Sequence, residues 1–150
     1  MRILVQRVKR ASVSIGGKCH AETGPGLLVF VGIEEADTGE DADWLAVKVV
    51  NLRLFDDING VMNLSAVDTE KEIMIVSQFT LHASTKKGNR PSYIKAARPE
   101  HAVPLYESFV DRTEYYLGRT VKTGVFGAMM EVSLVNDGPV TIFIDSRNRE

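Results

Sequence analysis

Residues 130–144 read MEVSLVNDGPVTIFI, and the parsing of that stretch decides the fold of the C-terminal third. Residues 130–135 and 140–144 are rich in β-branched and apolar side chains, so each half reads as a strand. Asn136, Asp137, Gly138 and Pro139 between them are turn formers, each for a local backbone reason. The plain expectation is two strands joined by a hairpin turn. A second reading stands beside it. Gly138 has no side chain and Pro139 no N–H, so the pair offers backbone carbonyls to whatever approaches. A Gly-Pro bond can also be cis, and the sequence leaves the isomer of Gly138–Pro139 open.

Working outward, residues 26–33 (GLLVFVGI) and 72–79 (EIMIVSQF) are nearly continuous apolar runs of strand length. Such runs predict central strands buried on both faces. Further strands are expected over residues 2–8, 12–15, 61–64 and 120–126, with turns at Gly16-Gly17 and Asn59-Gly60. Thr38 followed by Asp41 is a capping signal for a helix over residues 41–55. A second helix is expected over residues 100–117, closed by Gly118. Pro104 inside that span predicts either a kink or a start nearer Val103. Many strands with two main helices predict an α+β domain, its sheet curled and barrel-like.

With 150 residues, 44% of them hydrophobic and 25% charged, the chain is expected to form one domain over residues 1–150 with a substantial core. No run approaches a membrane span, and MRILVQRVKR lacks a signal peptide's apolar core, so a cytoplasmic protein without a membrane partner is expected. Cys19 is the single cysteine, which rules out an internal disulfide and fits a reducing compartment. The net charge of −2 argues against nucleic-acid binding driven by the overall field, so any such contact needs a local basic patch.

One exists. From Ile73 to Pro99 there are basic residues at Lys86, Lys87, Arg90, Lys95 and Arg98 and no acidic one. That segment reads either as a solvated loop or as a surface for a phosphate backbone, with Gly88, Ser92 and Tyr93 permitting close approach. It follows Ser77-Gln78-Phe79-Thr80-Leu81, which places two hydroxyls and an amide at the end of a buried strand. Ser and Thr at strand ends usually serve as local hydrogen-bonding groups, and a nucleophile needs a base. His20, His82 and His101 are the histidines at hand, but no GxSxG elbow frames Ser77. A Ser77–His82–Asp145 triad can be written on paper only. The scattered histidines show no metal-ligand spacing, and neither a P-loop nor a dinucleotide fingerprint is present; no metal or cofactor is expected.

SQFTL at 77–81 and NDGPVT at 136–141, taken together, resemble the D-aminoacyl-tRNA deacylases. MRILVQRVKRASV, GLLVFVGI, MNLSAV, RPSYIKAA and VSLVNDGPVT follow the family in order and spacing, so the resemblance covers essentially the whole chain. It implies a homodimer that hydrolyses the ester joining a D-amino acid to tRNA. It also implies that Gly138–Pro139 is cis and reaches into the partner subunit's site as a chiral filter, with Arg7, Asn136 and Thr141 supporting that loop. Ser77, Gln78, Phe79 and Thr80 become the catalytic stretch, and Lys86, Lys87, Arg90 and Lys95 the tRNA contacts. The chemical step is open between Thr80 as nucleophile and water activated by the 2′-hydroxyl of the terminal adenosine. We favour the second, because no obvious base serves Thr80. Two rivals remain: a non-catalytic nucleic-acid-binding dimer, and an editing deacylase for a misacylated L-amino acid. Phe79 favours the D-specific enzyme over the latter. His82, Pro104 and the tail SRNRE depart from the family pattern, the tail reading as an uninformative extension.

Overall fold

The computed structural model describes residues 1–149. Strand β1 (Arg2–Ile15) organises the sheet. Along one edge its first half pairs antiparallel with β3 (Gly26–Gly32) and its second half with β2 (Lys18–Thr23). Along the other edge it pairs antiparallel with β8 (Met130–Asp145). β3 lies parallel to β6 (Glu72–Ser77), and β6 parallel to β7 (Lys122–Thr123). β2 approaches β7 across the opening, so the mixed sheet curls into a nearly closed barrel, the expected α+β class. A separate two-stranded hairpin, β4 (Phe55–Asp56) with β5 (Met62–Leu64), extends from it.

The period of two along each strand explains the continuous apolar runs. Ile3, Val5, Leu27, Val29, Val31, Ile73 and Ile75 belong to one core, which they share with helix α1 (Gly39–Asn51) and helix α2 (Pro99–Leu117). Ala42, Leu45, Ala46, Val49 and Val50 of α1 and Phe109 of α2 are its fully buried helical contributions. The intervening residues Leu28, Met74 and Val76 join Val8, Ala11 and Val13 in a second core. β3 and β6 are therefore covered on both faces. No helix among the described residues is long and apolar enough to cross a membrane.

Helix ends follow local chemistry. The Asp41 carboxylate accepts from the Thr38 N–H at 2.9 Å, so α1 starts at Gly39, ahead of the expected residue 41. It stops at Asn51 instead of residue 55, because Leu54 and Phe55 reach the core from the extended segment that enters β4. Helix α2 begins at Pro99, where a missing N–H has no helical partner to lose, and it continues through Pro104. The start near Val103 is thus corrected. Gly118 closes it with φ 75°, a left-handed conformation that costs glycine little.

The largest correction concerns residues 136–139. They are not a hairpin turn. Met130–Asp145 is one strand, and both of its halves run along β1. Val8 faces Asn136 and Gln6 faces Thr141, so residues 137–140 stand opposite Arg7 alone and bulge out of the sheet. Residues 2–8 and 12–15 likewise merge into one strand, residues 18–23 form a strand that was not expected, and the strand over 120–126 shrinks to Lys122–Thr123. The tail, read from the sequence as an uninformative extension, makes contacts over its described residues. Arg147 Nη1 donates to the Ala36 carbonyl at 2.6 Å, and the Arg149 guanidinium lies 4.2 Å from the Trp44 ring centroid.

Candidate active site

β6 ends at Ser77, and the Gln78 N–H donates to the Val31 carbonyl at 2.7 Å, which ties the chain to β3 for one more residue. Residues Phe79–His82 then form a single 3₁₀ turn. Its first two residues, Phe79 and Thr80, have N–H groups with no acceptor inside the turn, and no side chain caps them. Gln78 Nε2 donates to Thr80 Oγ1 at 2.5 Å. Phe79 is 56% exposed, which is unusual for a phenylalanine beside a core strand, and meets Tyr93 edge-on with centroids 5.1 Å apart.

Beside this turn lies a cavity of about 330 Å³, within the range of small-ligand sites. Val31, Val76, Ser77, Gln78 and Phe79 form one side. Phe126, Gly127, Ala128, Met129 and Met130 form the other. Sequence reading missed this second wall, having placed Phe126 and Met130 in strands and left residues 127–129 without a role. The GAMM run at 127–130, with Met129 90% exposed and Gly127 at φ 77°, was the signal that could have found it.

The cationic segment hangs on the rim. Ser84 and Ser92 exchange backbone hydrogen bonds at 2.8 and 2.9 Å, and between them Lys86, Lys87 and Arg90 are exposed. Tyr93 fixes the loop to Phe79, the Ala97 N–H donates to the Ile33 carbonyl at 2.9 Å, and Ala97 itself lines the cavity. Lys95 is also exposed, between these anchors.

Gly138 and Pro139 stand elsewhere. Neither lines the cavity of its own chain, and both are exposed on the bulge. The peptide between them is cis. Arg7, opposite the bulge, donates from Nε to the Asp137 carbonyl at 3.1 Å and from Nη1 to the Leu54 carbonyl at 2.5 Å, and its guanidinium also pairs with the Asp137 and Asp56 carboxylates. Asn136 Nδ2 spans the base of the bulge, donating to the Arg7 carbonyl at 2.9 Å and the Val140 carbonyl at 3.1 Å. Thr141 Oγ1 accepts from Gln6 Nε2 at 3.1 Å.

The paper triad is not assembled. Asp145 is engaged by Arg2 Nε at 2.8 Å; despite a partly buried setting that opposes it, the bonds from Arg2 and the Arg147 N–H hold its carboxyl below the usual range. His82 is buried with neither ring nitrogen hydrogen-bonded to the described residues, and desolvation pushes its imidazole below the ordinary value. His20 is exposed on β2, and His101 Nε2 lies 3.0 Å from the Asp37 carbonyl oxygen. Among the described residues no three His, Cys, Asp or Glu side chains gather as metal ligands would. A second groove, about 590 Å³, is lined by Arg2, Trp44, Lys48, Phe143 and Arg149 and contains none of residues 77–80.

Fold and site thus define a small α+β barrel protein with a ligand-sized pocket at a strand end, a basic rim, and a braced, exposed backbone bulge outside that pocket. The family model of the D-Tyr-tRNA(Tyr) deacylases matches residues 4–145, and the chain belongs to that family. Curated D-aminoacyl-tRNA deacylases of Bacteroides fragilis and Akkermansia muciniphila are 60% and 59% identical to it over 150 residues, covering the whole of each chain. The solved structure of a c-Myc DNA Unwinding Element Binding Protein is similar with TM-score 0.91 and 41% identity, over 97% of this chain and 98% of that one. A probable eukaryotic D-amino acid tRNA deacylase shares the fold at TM-score 0.84 and 15% identity, over 95% and 97% of the two chains.

Proposed function

We propose that this protein hydrolyses the ester of D-aminoacyl-tRNA, releasing the D-amino acid and tRNA, in the compartment where translation occurs. The observation that carries the reading is the uncapped Phe79–Thr80 turn at the mouth of a ligand-sized pocket. Water adds to the ester carbonyl carbon, and negative charge develops on the carbonyl oxygen. The Phe79 and Thr80 N–H groups stabilise that charge. The C–O bond to the ribose then breaks, and the ribose oxygen takes up a proton. Thr80 Oγ1 touches the Gln78 amide, which is not a base in either orientation, and among the described residues His82 makes no hydrogen bond to it while His101 is engaged at Asp37. This supports attack by water assisted by the adenosine 2′-hydroxyl, with Gln78 and Ser77 as positioning groups.

Chirality is read by a second copy of the chain. An enzyme accepting many D-side chains has only the α-ammonium, the ester and the adenosine as constant features. The Gly138 and Pro139 carbonyls, projecting from the bulge, accept from the ammonium whatever the side chain is. The same backbone fills the space an L-side chain needs. A tenfold preference corresponds to about 1.4 kcal/mol, so a steric clash of several kcal/mol gives strong rejection. Lys86, Lys87, Arg90 and Lys95 meet the tRNA phosphates.

The test is release of labelled amino acid from D-tyrosyl-tRNA and L-tyrosyl-tRNA at low enzyme. Rapid loss of the D-ester alone is expected; loss of both overturns the filter. Glycyl-tRNA, with no side chain to clash, is also expected to be hydrolysed. The basic rim, and the DNA-binding name carried by the solved relative at 41% identity, favour one alternative, a nucleic-acid-binding dimer without catalysis. Tight binding of uncharged nucleic acid with neither ester cleaved is the outcome that selects it.

A further inference from the structure

The 3₁₀ turn rests on an unusual seat. Beneath it is Gly32, the last residue of β3; a Cβ there would lie 2.9 Å from the Gln78 carbonyl oxygen and 3.0 Å from both Leu81 Cβ and His82 Cδ2. Only a residue without a side chain lets the turn sit this low against β3. The His82 ring fills the remaining space, and its side chain is wholly inaccessible. A buried imidazole ordinarily holds at least one hydrogen bond, because an unmet polar group in the interior is costly. Neither ring nitrogen of His82 makes a hydrogen bond of full geometry among the described residues, and the Gly32 backbone carbonyl is the acceptor beside the ring.

The charges around it come from three segments. From the exit of β3, Glu34 brings Oε2 to 3.8 Å from Nδ1, too long for a hydrogen bond, while Arg147 of the C-terminal segment approaches Glu34 Oε1 at 3.9 Å. From β1, Arg2 donates to the Leu81 carbonyl at 3.1 Å and pairs with Asp145, and the Met1 ammonium pairs with Asp37. Burial is the main influence against a proton on His82; the Gly32 backbone carbonyl and Glu34 favour one, and the two cations on the β1 side oppose it.

We propose that His82 and Gly32 are positioning residues for the deacylation turn, and that protonating His82 unseats the turn and lowers turnover. A neutral ring leaves one N–H to be met, which the Gly32 backbone carbonyl beside it partly serves, whereas a charged ring brings a second N–H and a full charge into the same seat. A charged ring must pull Glu34 inward or move outward, and either motion displaces the backbone that carries the Phe79 and Thr80 N–H groups. The direction of the titration agrees. Burial holds the imidazole below its ordinary value of 6.5, so the folded protein resists the proton that the unfolded chain accepts. The stability this contributes is full above pH 6.5 and is lost as pH falls below it, toward and through the depressed folded value.

This inference rests on the deacylase reading, and the two fail differently. Background-corrected kcat and KM for D-tyrosyl-tRNA are measured from about pH 5 to 8.5, a range that spans the ordinary histidine value, for the wild type, His82→Leu, His82→Ala and Gly32→Ala, with melting temperatures alongside. A wild type inert at every pH overturns the deacylase reading, and this one with it. With an active wild type, we expect an acid-side inflection in kcat below pH 6.5, the ordinary imidazole value. It is expected to be absent in His82→Leu, which nearly keeps the volume of the side chain and has nothing to protonate. His82→Ala and Gly32→Ala are expected to lose at least tenfold in kcat with KM changed less than threefold. An identical inflection in wild type and His82→Leu, or none in either, overturns the switch. Wild-type kcat in folded His82→Ala and Gly32→Ala overturns the seat.

Discussion

Ser77–Thr80 and Asn136–Val140 are both short polar interruptions of apolar strands, yet the fold treats them oppositely. The first ends a strand covered on both faces, so its groups converge on an internal pocket. The second interrupts a strand at the rim of the sheet, and its excess length is pushed outward. The first is positioned by what lies beneath it: Val31, Gly32 and His82. The second is positioned by brackets at its sides: Arg7 and Asn136. A group fixed from beneath faces its own chain, and one fixed from the sides leaves its backbone exposed at the surface. The comparison therefore predicts that damage to the bulge changes selectivity, and damage near the turn changes turnover.

The sharpest test is Gly138→Ala. A Cβ at 138 would fall 2.9 Å from Asn136 Oδ1, and Asn136 cannot swing away without releasing the Arg7 and Val140 carbonyls. We expect the ratio of D- to L-tyrosyl-tRNA hydrolysis to fall by about 100-fold, equivalent to about 2.7 kcal/mol. Parallel single-turnover rates check it, and an unchanged ratio breaks the comparison.

Arg7→Ala removes the bracket and leaves the Leu54 and Asp137 carbonyls without that donor. A stability loss of about 1–3 kcal/mol in denaturant titration is expected, together with roughly tenfold weaker D/L discrimination. Loss of kcat with discrimination intact would assign Arg7 to the turn instead.

Replacing Lys86, Lys87, Arg90 and Lys95 with Ala is expected to lower kcat/KM several-fold. The dependence of log kcat/KM on log salt should become shallower by about 0.7–0.9 for each phosphate left without its cation. D/L discrimination should stay as it was. The smallest effect is expected for Thr80→Ala: less than tenfold in kcat if water is the nucleophile. A loss of several orders of magnitude, with an acyl-enzyme trapped on the wild type, would return the role to Thr80.

Much of this was legible in the residues. The continuous apolar character of GLLVFVGI and EIMIVS reports burial on both faces wherever the strands lie, because it depends only on the side chains. Thr38 with Asp41 and the glycine at 118 locate helix ends through bonds spanning a few residues, so local sequence suffices. The hydroxyls and amide of SQFTL and the charges of the basic run are plain in the residues themselves. The rear wall at 126–130 was hidden, since nothing in GAMM says which strand end it will face. His82 was hidden too: a histidine's type does not reveal whether its ring will find a partner.

The residues of NDGP limited that segment to a turn or a bulge, and they could not choose between the two. The choice belongs to β1. A hairpin needs the flanking strands to pair with each other, whereas here both pair with one long third strand at the opposite end of the chain. Once residues 130–136 and 141–145 are in register with β1, the surplus between them has nowhere to go but outward, against Arg7. By itself the sequence determined which backbone would be exposed, through Gly138 and Pro139. Only the tertiary pairing decided where it would point, because register is set by contacts across the sheet and not by the residues of the bulge.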